Sequence, residues 1–249
     1  LIPLADSGVA WLIAAFIYLA VIPAWDCFAR WSLRWAGAAG RLAAGVRRWP
    51  GAPWLALAAR LAYCLGVPYA ALLLGVADAR RMGLAGLPWW PELPVGAAAG
   101  LAGTALLAWS WGRVATVTYR RGSRRRLFLA EWKALRAPWG WVWLVLEVLC
   151  LQMSWAFVRG AAIRLVGLYA GVFLGLALLG ATWLLRPGRL ESLGDIEARA
   201  SAFLTAGLAV ITSLVFLYAE NLWLCGLVHG LGLAATVLAA GRAYARASS

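Results

Sequence analysis

His229 is the only histidine in the chain, and Glu147 is a carboxylate set inside a long apolar run. An imidazole and a carboxylate are well suited to moving protons near neutral pH, so a pair of them would offer acid–base chemistry. Glu220 and Asn221, adjacent polar residues between two apolar segments, are further candidates of this kind. Residue types alone do not decide the matter, because each group needs a depth and a partner. The elements that carry them supply both.

The 249-residue chain is 64% hydrophobic and 13% charged, with a mean hydropathy of +0.78. Soluble domains run about 45–50% apolar and about 25% charged, so this is no water-soluble globule. The composition also excludes a disordered tail, a collagen, a disulfide-stapled secreted domain and a histidine-rich metalloenzyme. Cys27, Cys64, Cys150 and Cys225 are dispersed without C-x-x-C spacing. They read as small apolar filler, and no metal site is expected. The expected fold is all-α, a polytopic transmembrane helical bundle.

A helix needs about 20 apolar residues to cross a bilayer. Seven stretches qualify: 9–25, 53–77, 93–119, 139–158, 165–185, 200–219 and 222–240. The segment after the opening LIPLADSG lacks a basic n-region and a small-residue cleavage site, so it reads as a span and not as a signal peptide. The links between the fourth and fifth stretches, and between the sixth and seventh, are very short. Each of those pairs should be an antiparallel hairpin. Residues 1–138 are expected to form an N-terminal three-span region with basic interfacial linkers, and residues 139–249 a four-helix membrane core.

Basic residues orient the bundle. Arg30, Arg34, Arg41, Arg47 and Arg48 follow the first stretch, and Arg120, Arg121, Arg124, Arg125, Arg126, Lys133 and Arg136 follow the third. Arg186, Arg189, Arg199, Arg242 and Arg246 fall on that same side, whereas the opposite side holds Arg80, Arg81, Arg159 and Arg164. Positive-inside bias then puts the N-terminus outside and the C-terminus in the cytoplasm. The expected location is a bacterial cytoplasmic (inner) membrane. Most of the 17 tryptophans, including Trp25, Trp54, Trp89, Trp139, Trp141 and Trp223, lie at or near span ends. Indole rings favour that depth because they are apolar with one N–H donor.

Residues 30–49 place Trp31, Trp35, Leu42, Val46 and Trp49 near helical spacing between arginines, the pattern of an interfacial amphipathic helix. Its arginines and the run at 120–126 are expected to meet anionic lipid headgroups. No nucleic-acid partner is expected, since no soluble domain is present to read bases.

In this frame the candidate residues acquire depths. Glu147 lies about 12 Å along its helix from Trp139, too deep for its short side chain to reach water. Counted from the outer ends, His229 is about 10 Å and Glu147 about 16 Å deep, about one helical turn apart. A direct or water-bridged Glu147–His229 pair is one expectation, and a neutral Glu147 bonded to a neighbouring carbonyl is the other. Arg60 and Arg113 lie near enough to the cytoplasmic face to snorkel.

Residues 202–235, AFLTAGLAVITSLVFLYAENLWLCGLVHGLGLAA, run a glycine-containing helix into a Glu220-Asn221-Leu222-Trp223 corner, with His229 one to two turns later. An earlier span carries Phe157-Val158-Arg159-Gly160. Together these resemble the CPBP family, the CAAX-protease and bacteriocin-processing intramembrane proteases, over residues 144–240. The first segment looks like that family's last two core helices, and the second like the end of its EExxxRG motif. The resemblance implies paired glutamates that activate a water, with histidines from other core helices completing the site. Carried over residue by residue, it keeps only Arg159 and His229. The two glutamate positions fall on Ser154 and Trp155, the histidine of FxxxH (counted from Phe173) on Ala177, and the asparagine of HxxxN on Leu233.

Ser154 and Trp155 cannot act as a carboxylate base, and a Ser154–His229 dyad would lack a third member. No catalytic residue is assigned. The resemblance therefore implies a degenerate, non-catalytic member serving as scaffold or accessory subunit beside other integral membrane subunits, with no cofactor. One alternative is an intramembrane CAAX-type peptidase with a displaced site. Another is a pigment- or heme-type subunit using His229 as axial ligand. Gly96, Gly100 and Gly103, and Gly167, Gly171 and Gly175, form small-residue faces that let helices approach closely, within the chain or between chains.

Overall fold

The computed structural model describes residues 8–34, 58–85, 92–120, 127–186 and 188–248. Eight helices are labelled in chain order: α1 (Gly8–Arg34), α2 (Ala58–Leu73), α3 (Glu92–Arg120), α4 (Leu129–Arg136), α5 (Gly140–Val166), α6 (Leu168–Leu185), α7 (Ile196–Ala219) and α8 (Leu222–Ser248). A single turn, Arg189–Ser192, precedes α7. Helices α3, α5, α6, α7 and α8 are long and apolar enough to cross a membrane, while the apolar stretches Gly8–Val21 and Ala58–Leu73 are shorter. Their outer faces carry large apolar side chains such as Leu101, Leu106, Trp109, Tyr169, Phe173, Phe203 and Leu227. Polar Gln152, Arg159, Thr212, Asn221, His229 and Thr236 are buried. Apolar outside and polar inside suits lipid as the solvent. This is a helical integral membrane protein.

Local chemistry explains the helix limits. Pro68 has no N–H for the carbonyl four residues back, and the chain takes a wider π turn at Ala62–Gly66 just before it. Helix α5 runs past the expected end at residue 158 because Gly160, Ala161 and Ala162 offer no reason to stop and pack closely. It ends at Gly167, whose φ of +83° is open to glycine and whose N–H bonds the Ile163 carbonyl at 2.9 Å. Asp195 caps α7 by accepting from the Ala198 N–H at 3.1 Å. Glu220 turns the corner in the left-handed region, and Asn221 Oδ1 caps α8 by accepting from the Leu224 N–H at 3.1 Å.

The two expected hairpins form, α5 against α6 and α7 against α8. Helix α3 packs on both α7 and α8. Both glycine faces are filled from within the chain except at Gly167, where an added Cβ would meet nothing within 4 Å. Gly96, Gly100 and Gly103 meet Ala219, Val228 and Ile211, and Gly171 and Gly175 meet Ile163 and Arg159.

Contacts between helix ends fall into two groups. In one, Gly8 lies beside Arg164, and Gly83 accepts from the Leu222 N–H at 2.9 Å. In the other, the Tyr244 hydroxyl oxygen accepts from the Leu127 N–H at 3.0 Å just before α4, Ser201 donates to Glu131 at 2.6 Å, and Gly241 abuts Trp132. Most of the expected amphipathic segment 30–49 lies outside the described residues beyond Arg34, including Arg41, Arg47 and Arg48. Arg121, Arg124, Arg125 and Arg126 lie outside them too, and Arg120 ends α3.

Candidate functional site

A seam of buried polar side chains runs between α5, α7 and α8. On α5, Gln152, Trp155 and Arg159 are spaced three and four residues apart and so share one face. His229 of α8 is 1% exposed and Gln152 is 2% exposed. Gln152 Nε2 lies 2.9 Å from His229 Nδ1. The two side chains share one hydrogen bond, whose direction follows from the imidazole tautomer. The Trp155 ring lies 5.2 Å from the imidazole, tilted against it.

Glu147 is not the partner of His229, and it does not lean on a carbonyl. It pairs with Arg60 of α2 at 2.5 Å, both side chains partly exposed. Each charge at that depth gains more from an opposite charge than from a neutral imidazole. Arg60 is thus held in an ion pair where snorkelling was expected. Ser154 does not reach His229 either: its Oγ donates to the Cys150 carbonyl at 2.8 Å and lies 2.5 Å from the Tyr18 hydroxyl of α1. Tyr63 of α2 stacks on Tyr18 and donates to its backbone carbonyl, so α1, α2 and α5 are joined at mid-bundle.

Arg159 was expected in the outer link between two spans. It lies instead inside α5, 2% exposed, with its guanidinium carbon 3.5 Å from the centre of the Phe216 ring of α7. Its Nε and Nη2 atoms have no hydrogen-bond partner. It lines a cavity of about 10 Å³ together with Trp155, Val172, Leu176, Leu179 and Ser213.

The remaining motif positions do not converge. Ala177 is exposed on the outer side of α6, and Leu233 packs with a different cluster one turn beyond His229. Glu220 is exposed at the corner, while Asn221 beside it is fully buried. The described cysteines, Cys64, Cys150 and Cys225, are buried free thiols. Among the described residues no three His, Cys, Asp or Glu side chains gather in one place.

Screening for groups charged near neutral pH alone missed Gln152 and Tyr18. A neutral amide in an apolar span also costs free energy unless bonded, so Gln152 carried a usable signal. Replacing it by leucine leaves His229 Nδ1 buried and unpaired. Gln152→Leu should therefore cost about 1–3 kcal/mol in thermal unfolding in detergent, and Gln152→Leu with His229→Leu should recover most of that loss.

The arrangement defines a helical membrane protein with a hydrogen-bonded polar interior, in which neither Ser154 nor Glu147 reaches His229. No protein-family model, curated protein or solved structure matches this chain.

Proposed function

We propose that this protein is a non-catalytic, CPBP-like integral membrane protein that serves as a scaffold or accessory subunit of a larger membrane complex. The observation that carries this reading is the state of the motif residues and of Glu147, the other candidate carboxylate. His229 is tied to Gln152, Ser154 to Tyr18 and Cys150, and Glu147 to Arg60. Each polar group joins one helix to another, and none is left beside a base with room for a scissile bond.

The reading includes seven crossings, with the N-terminus outside and the C-terminus in the cytoplasm of a bacterial inner membrane. The grouping of helix ends supports it, since Gly8, Gly83, Arg164 and Leu222 gather together, away from Leu127, Glu131, Ser201 and Tyr244. Taking Arg159 out of the outer link sharpens the charge bias in the same direction. The cytoplasmic arginines would then meet anionic lipid. Because Gly96, Gly100, Gly103, Gly171 and Gly175 are packed against internally, a partner subunit would dock on the leucine- and aromatic-rich exterior. Purification in a mild detergent, followed by mass spectrometry, should recover a stoichiometric membrane-protein companion. A monomer without one overturns the proposal.

A further inference from the structure

The geometry points to a seat for one carboxylate group at Arg159, supplied by a long-chain amphiphile of the bilayer. This goes beyond the scaffold reading and holds whether or not a partner subunit exists. A guanidinium carries five N–H donors in one plane. The Phe216 ring satisfies the face of that plane and leaves the donating edge, where Nε and Nη2 have no acceptor. Buried charges are otherwise paired, because desolvating an unpaired one is costly. Among the described residues no carboxylate contacts Arg159: Glu147 is held by Arg60, Asp78 by Arg81, Glu131 by Ser201 and Asp195 by the start of α7.

The cavity beside the guanidinium sets the ligand's size and character. At about 10 Å³ it admits a group of about one water's size, which suits the tip of a carboxylate and not a bulky headgroup. Ser213 is the polar wall opposite the arginine's helix, and Val172, Leu176 and Leu179 of α6 are the apolar wall. Leu176 and Leu179 are half-buried, and Phe173 and Tyr169 on the same helix are exposed. An alkyl chain attached to the carboxylate would therefore leave the cavity along α6 and lie among lipid tails. A free small carboxylate would use the same donors and forgo that apolar contact.

The test is binding of tritiated palmitate to the full chain in detergent micelles, with acetate and hexadecanol as competitors. Saturable palmitate binding, not displaced by either competitor at equal concentration, is the expected result. Arg159→Gln should weaken it by about 10-fold or more, with Arg159→Lys keeping part of the affinity. Ser213→Ala, which leaves the guanidinium and its ring in place, should weaken it by about 3- to 10-fold and guards against a misfolded arginine variant. Displacement by hexadecanol, or unchanged binding in Ser213→Ala and Arg159→Gln, overturns the seat. Displacement by acetate overturns the amphiphile as its source.

Discussion

Gly171→Leu is expected to separate α6 from α5 and to lower the melting temperature of the detergent-solubilised protein by about 6–12 °C. A Cβ added at Gly171 would lie 2.3 Å from Ile163 Cα and 2.5 Å from Ile163 N. Both are backbone atoms of a regular helix and cannot rotate away, so the helices themselves must part. Overpacking of this kind costs about 3 kcal/mol, toward the upper end for inserted methylenes, and each kcal/mol is worth about 2–4 °C in a domain of this size. Gly180→Leu is the control. It is on the same helix and equally glycine, yet an added Cβ there meets nothing within 4 Å. Its melting temperature should move by little. Equal losses from the two variants would mean that intrinsic preference, and not the α5–α6 contact, sets the effect.

The second large effect is expected from Phe216→Ala. Phe216 is 1% exposed and forms the floor under the Arg159 guanidinium. Truncation opens a cavity worth about 3–5 kcal/mol and exposes a buried cation to it. Phe216→Leu separates the two contributions, since it keeps most of the volume and removes the ring. It should cost about 1–2 kcal/mol, the worth of a desolvated cation–π contact. In an Arg159→Met background that Phe216→Leu penalty should nearly vanish. A penalty that persists undiminished would show that the ring supports packing alone.

Much of the bundle was legible because lipid-facing helices announce themselves as long apolar runs. The α7–α8 corner was legible for a second reason: Asn221 is a favoured N-cap residue placed just where the run is interrupted. What could not be read was the rotation of each helix. Helix α6 is apolar on every side, so nothing in its sequence says that Val172 and Leu176 face the cavity while Ala177 faces out. The partner of Glu147 was hidden for a related reason. Matching depths along two helices cannot tell which neighbour leans closest, and α2 brought Arg60 to the carboxylate before α8 could bring His229. Arg159 was misplaced because an arginine suggests a link, whereas Phe216 gives it a buried surface to lie on.

The hydrogen bond from the Leu222 N–H to the Gly83 carbonyl also bears on how the chain is built. The first N–H groups of a helix have no acceptor inside it, and α8 starts with one of them pointed at a turn made much earlier. A ribosome feeding this chain into a membrane delivers Gly83 well before Leu222. The acceptor used at the start of α8 is therefore synthesised well before the hairpin that needs it.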